Sequence, residues 1–339
     1  MLTRRDALRL TGGALGVFGS AGLLLGQPPK PLRVVGFAGA SNLPLWIGQE
    51  RGFFGRQGVE PTFEITPNSV EMVRNLYAGR FDLAMTSIDN VVAYDEGQGE
   101  AGLSSNPDFV ALFGIDDAML SLVAMPEIKS IADLKGKTVS VDAMTTGFAF
   151  VLRNMLAKAG LSESDVVFSK VGGGAQRLQA LLRGEQVATL LNAPLDSMAQ
   201  SKGFVRLATA RSIVGPIQGG VGMARRDTAA RLANELEAFI RGFHESIQWL
   251  SQPSNRVDAA ECIVRHMHVG QDEALQIYDR VLDPSAGIFR DMRINREGVD
   301  TVLRLRSAYG VPPKLLSNPD RYVDESYLFR ALSKDKSLN

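Results

Sequence analysis

The sequence predicts an α/β protein of two similar lobes, each a parallel-rich sheet covered by helices. Three observations point to this. Strand-like and helical segments alternate from Leu32 onward. The alternation restarts at an offset of about one hundred residues, too long for a solenoid period and right for a duplicated lobe. The chain has 339 residues, enough for two domains.

In the first unit, Leu32–Phe37 is a short apolar strand, and Leu43–Phe54 is apolar and long enough for a helix. Pro61–Ile65 alternates as a second strand. Ser69–Ala78 places Val70, Val73, Leu76 and Tyr77 at helical spacing, and Phe81–Met85 is a third strand. The second unit repeats this order. Thr138–Val141 is a strand, and Gly147–Lys158 is a helix with Gly160 as its C-terminal cap. Val166–Val171 is a strand, Ala175–Leu182 a helix stopped at Gly184, and Val187–Leu191 a strand. Leu76-Tyr77-Ala78-Gly79 corresponds to Leu181-Leu182-Arg183-Gly184, and Ser41-Asn42 falls near Thr145-Thr146.

Beyond Gly222 the pattern turns helical, over Ala229–Trp249, Ala259–His268, Glu273–Val281 and Val299–Ala308. This stretch is expected to pack back on the first lobe. Lobe 1 would then comprise residues 31–118 and 223–339, and lobe 2 residues 119–222, with Leu120–Ala124 and Gly219–Ala224 as the connecting segments.

Residues 1–30 are set apart as an export signal and spacer. Arg4, Arg5 and Arg9 precede an uncharged apolar run, Thr11–Gly26, shorter than the roughly 20 residues of a membrane-spanning helix. The Arg4-Arg5 pair resembles a twin-arginine export signal. No Cys follows the run, so a lipoprotein is not expected. Pro28, Pro29 and Pro31 make a stiff spacer.

Composition narrows the partners. With 37 basic and 37 acidic residues there is no basic surplus for nucleic acid and no polybasic arm for a membrane. The single cysteine, Cys262, excludes an intrachain disulfide and reads as a buried helix residue.

In open α/β sheets ligands bind beyond the carboxyl ends of the strands. That rule selects the loops at residues 36–46, 86–90, 142–147, 172–176 and 192–196, each running into a helix start. Helix starts offer free N–H groups and partial positive charge, and so bind carboxylate or sulfonate without a lysine. Ser41, Ser87, Thr145 and Thr146 add hydroxyls there, although Ser, Thr and Asn are also ordinary N-caps. Trp46 is a candidate stacking wall, with core packing as the alternative. The Gly172-Gly173-Gly174 run could cradle an anion through its backbone, but no Gly-Lys-Ser/Thr follows it. The acids between Asp89 and Asp95 are expected to face solvent. His266 and His268 lie on different helix faces, and there is no nucleophile elbow, metal cluster or dinucleotide fingerprint. Neither an enzyme nor a cofactor is expected.

These loops, together with Leu43-Pro44-Leu45-Trp46-Ile47-Gly48-Gln49-Glu50-Arg51-Gly52-Phe53-Phe54, Leu76–Ser87 and Ile131–Val141, resemble the substrate-binding proteins of ABC transporters. The resemblance is to the nitrate/sulfonate/taurine-binding type, also grouped with thiamine-precursor-synthesis-like proteins, and covers roughly Leu32 to Met223. It implies a type II periplasmic binding protein fold with a ligand cleft between the lobes. It also implies delivery of ligand, by a monomer, to a membrane permease and its ATPase. The candidate ligand-binding residues are Ser41, Asn42, Leu43, Trp46, Thr86, Ser87, Asn90, Thr145, Thr146, Gly147, Gly173 and Asn192. The expected ligand is a small organic anion, a carboxylate or sulfonate, aromatic ones included. The alternatives are an enzyme on the same fold, of the thiamine-precursor or menaquinone-pathway type, or a periplasmic sensory receptor.

Overall fold

A computed structural model describes residues 28–284 and 287–335. The expected export signal falls almost wholly outside these residues. Among the described residues ten strands form two five-stranded mixed sheets. They are β1 (Lys30–Gly36), β2 (Val59–Ile65), β3 (Leu83–Ser87), β4 (Phe109–Gly114), β5 (Ser121–Ala124), β6 (Thr138–Val141), β7 (Val167–Lys170), β8 (Ala188–Leu191), β9 (Val205–Thr209) and β10 (Gly220–Arg225). The first sheet has the order β2-β1-β3-β10-β4 and the second β7-β6-β8-β5-β9.

The repeat is therefore one of topology. In each sheet three parallel strands are followed by an antiparallel strand that enters directly from the other sheet: β10 beside β3, and β5 beside β8. This corrects the expectation for Leu120–Ala124 and Gly219–Ala224. Those segments are mostly strand, and the crossings precede them, at residues 115–120 and 215–219. Extended chain arriving beside an unpaired sheet edge satisfies its backbone groups by joining the ladder.

Local chemistry explains several helix ends. Asn68 accepts the Glu71 N–H at 2.8 Å and starts the helix Ser69–Tyr77. The expected helix Leu43–Phe54 is two, Leu43–Glu50 and Phe53–Arg56, because Gly52 turns left-handed at φ 68° between them. Leu232 leaves the helical region and divides the expected Ala229–Trp249 into Arg226–Arg231 and Ala233–Leu250. Helix Ala233–Leu250 buries Leu236, Phe239, Ile240, Phe243 and Ile247 under the first sheet. Phe239 stacks on Phe54 at 5.1 Å. Each such side chain contributes about 1.5–3 kcal/mol by leaving water. Cys262 is buried in this same core.

The C-terminal helices do not all return to the first sheet. Helix Arg296–Tyr309 packs against Ile88–Asp95, which follows β3, and against Gly147–Lys158, which follows β6. One hydrophobic core accordingly runs from Val35 and Ile88 through Val302 and Leu303 to Phe150 and Leu122. No helix among the described residues is long and apolar enough to cross a membrane.

Candidate functional site

The carboxyl ends of β1 and β3 in one sheet, and of β6 and β8 in the other, converge on a cavity of about 930 Å³, its open mouth included. Its wall draws on the loops after all of these strands, on Ile115, Asp116, Ala118 and Gly219 of the crossing segments, and on Gly220 at the start of β10. Ser41, Asn42, Thr86, Ser87, Asn90, Thr146, Gly147, Gly173 and Asn192 line it, joined by the aromatic rings of Phe37 and Phe148.

Three sequence candidates stand elsewhere. Leu43 is fully buried in the core. Trp46 is also core, its ring stacked on His266 at 4.6 Å and 3°. Both belong to helix Leu43–Glu50, which is buried from Leu43 to Gly48. Thr145 does not line the cavity; its N–H and hydroxyl donate to Glu100 at 3.0 and 3.2 Å.

Several helix-start groups are already engaged. Ser87 accepts the Asp89 N–H, and Thr146 accepts the Ala149 N–H, both as N-caps. The Gly147 N–H donates to Asp89 Oδ2 at 2.6 Å. The Gly173 N–H donates to the Pro67 carbonyl at 3.0 Å, so the glycine run spends this donor on the loop after β2, in the other sheet, rather than on an anion. Asn42 closes its own loop onto the Phe37 carbonyl at 2.7 Å, and Asn90 donates to Thr86 at 2.8 Å.

The charged members of the wall were not foreseen. Asp89, expected at the surface, is buried and held by Arg306: Nε donates to Oδ1 at 2.7 Å and Nη2 to Oδ2 at 2.6 Å. Arg306, itself fully buried, also donates to the Thr145 carbonyl at 2.8 Å. This cluster thus spans both sheets: Asp89 follows β3, and Thr145 and Gly147 follow β6. A β-carbon on Gly147 would stand 2.4 Å from Asp89 Cγ, so the approach requires glycine there.

Asp116 accepts the N–H groups of Ala118 and Gly220 at 2.8 and 2.9 Å, and the Ser41 hydroxyl. Asp142 accepts the hydroxyl and N–H of Ser69 on Oδ2, while its buried Oδ1 has no hydrogen-bond partner among the described residues. Arg177 is buried and donates to the carbonyls of Gly172 and Leu190 at 2.6 and 3.0 Å. Burial lowers its pKa to about 10, with Asp142 opposing, so it stays charged at neutral pH. A guanidinium has five N–H groups, so these two bonds leave donors to spare. The wall can therefore meet a ligand with Arg177 donors, an Asp142 acceptor, hydroxyls and two aromatic rings.

Residues 26–264 match the model of the NMT1-like family. Among solved structures, a protein from Bordetella bronchiseptica RB50 is similar at 21% identity and TM-score 0.75, over 90% of this chain and 98% of that one. The periplasmic nitrate-binding protein NrtA from Synechocystis PCC 6803 is similar at 14% identity and TM-score 0.72, over 90% of this chain and 89% of that one. The alkanesulfonate-binding protein SsuA from Xanthomonas axonopodis pv. citri, bound to MOPS, is similar at 15% identity and TM-score 0.66, over 90% and 99%. The desulfurization enzyme DSZB shares the fold at 12% identity and TM-score 0.60, over 90% and 99%. A comparison with curated protein sequences gives no match. The chain belongs to the NMT1-like family and has the two-lobed fold of periplasmic binding proteins.

Proposed function

We propose that this protein is the solute-receiving component of an ABC import system. It captures a small organic molecule by closing two lobes and delivers it, as a monomer, to a membrane permease and its ATPase. The observation that carries this reading is the shared cavity: the carboxyl ends of strands from both sheets supply its wall. A ligand that touches both sides favours the closed arrangement by its differential contact with the two lobes. On this reading lobe 1 comprises residues 31–118 and 223–339, lobe 2 residues 119–222, and residues 1–30 direct export to the periplasm by the twin-arginine route.

For the ligand we propose an organic carboxylate or sulfonate that also carries an N–H donor. Its anionic group faces Arg177, its donor satisfies Asp142 Oδ1, and its apolar body lies against Phe37 and Phe148. The donor is the addition that the wall makes to the anion expected from the helix starts. An anion alone would leave a buried carboxylate oxygen unpaired, at about 1–3 kcal/mol.

Isothermal calorimetry against aliphatic and aromatic carboxylates and sulfonates, each with and without an amino group, tests the reading. Saturable micromolar binding, about −8 kcal/mol, is expected for amino-bearing members. Binding restricted to sugars would overturn the ligand class, and the absence of saturable small-molecule binding would overturn the receptor reading.

A further inference from the structure

Away from the cavity, helix Arg256–Met267 carries Cys262 and His266 four residues apart, on one face. Glu50, at the end of the neighbouring helix Leu43–Glu50, faces both. One ligand-type atom from each residue falls within 4.8 Å of the others. His266 Nε2 lies 3.0 Å from Glu50 Oε1, and the imidazole is held in orientation by its stack on Trp46. Cys262 is buried at the floor of the cluster, while Glu50 and His266 are exposed toward solvent.

We propose that Glu50, Cys262 and His266 form a binding site for a borderline-soft divalent cation of the zinc type. Sulfur, imidazole nitrogen and carboxylate oxygen are the three donors zinc takes, and three protein ligands leave a fourth position for water. Arg265 fits as a supporting group. It donates to Glu50 Oε2 at 2.5 Å and so can hold that oxygen while Oε1 turns to the metal. On binding, the Cys262 thiol loses its proton to solvent and a metal–sulfur bond forms. The contact between His266 Nε2 and Glu50 is exchanged for two metal bonds, with His266 neutral. Two anionic ligands then match the charge of a divalent ion. The site would clamp helix Leu43–Glu50, whose other end leads into the cavity loop at Asn42, to helix Arg256–Met267.

The test uses the exported chain without a histidine tag and cobalt(II) chloride as probe. One equivalent of cobalt should produce a thiolate-to-cobalt charge-transfer band in the near ultraviolet, displaced by one equivalent of zinc chloride. Cys262→Ser should remove the band and weaken zinc binding, read by competition calorimetry, at least about 100-fold, more than the 10–100-fold typical of losing a supporting group. Glu50→Gln and His266→Gln replace half-exposed groups and should fold, as metal-free circular dichroism checks, yet each should shift the band and weaken zinc at least about tenfold. No band at equimolar cobalt, or a band and zinc affinity unchanged in both of these variants, would overturn the site.

Discussion

Arg306 offers the most direct test of how the two sheets are held together. Its guanidinium is fully buried, its partner Asp89 is nearly so, and their sequence separation of 217 residues means only the folded chain unites them. Replacing Arg306 with Met keeps the length of the stem but strands the Asp89 carboxylate, which retains only the Gly147 N–H, and leaves the Thr145 carbonyl without this donor. Breaking a buried pair from one side costs about 3–5 kcal/mol. With an unfolding entropy of about 2.1 cal/mol/K per residue, and some 300 folded residues, that corresponds to a Tm drop of about 5–8 °C. Asp89→Leu should cost a similar amount, because Arg306 is then the uncompensated charge. The double variant Asp89→Leu with Arg306→Met removes both charges and should recover most of the loss, since an apolar replacement of a buried pair is often close to neutral. Calorimetric melting of the four chains gives the coupling from the double-mutant cycle. A single-variant cost below about 1 kcal/mol, or a double variant as unstable as the sum of the singles, would refute the reasoning.

Other consequences are open to measurement. Gly147→Ala drives a β-carbon into Asp89, at an overpacking cost of about 1–3 kcal/mol, and should loosen closure; small-angle scattering should show a larger radius of gyration and calorimetry a weaker ligand. Trp46→Ala should lower stability by about 3–5 kcal/mol while ligand affinity of the folded protein stays within about twofold, because the ring is core and outside the cavity; a large affinity loss would return Trp46 to the site. Burial pushes the Asp95 carboxyl up to about 6, with Asp108 acting the same way and the Phe109 N–H opposing. The folded state thus holds this proton more tightly than the unfolded state, so ionisation costs stability, from nothing below about pH 4 to the full amount above about pH 6. Asp95→Asn should therefore melt higher than the native chain at about pH 7.5 and lose that advantage by about pH 4; a pH-independent difference would contradict the assignment.

Legibility in the sequence tracked the range of the physics. The helix Gly147–Lys158 and the strand Thr138–Val141 were read to the residue, because periodicity, an N-cap threonine and a terminating glycine are all local signals. The loops at the strand ends were located for the same reason, and they supply Ser41, Thr86, Ser87, Thr146 and Asn192 to the cavity wall. Trp46 reads from the sequence as either a cavity wall or core, because nearness to a loop in sequence does not decide which face of the following helix a side chain occupies; the structure puts it in the core. The i, i+4 spacing of Cys262 and His266 was available in the sequence, but the facing Glu50, over two hundred residues earlier, was not.

By itself, the sequence determined that two α/β units recur, that their loops run into helix starts, and that the chain lacks a bias toward nucleic acid. Only the tertiary structure decided the electrostatics of the cavity. Asp89 reads as a surface acid in a helical stretch until Arg306 and Gly147 close on it, and Asp142 and Arg177 read as ordinary polar residues until the sheets converge. A charge enters a protein interior only with partners that offset its desolvation, and for Asp89 and Asp142 those partners come from the other sheet or from the far end of the chain.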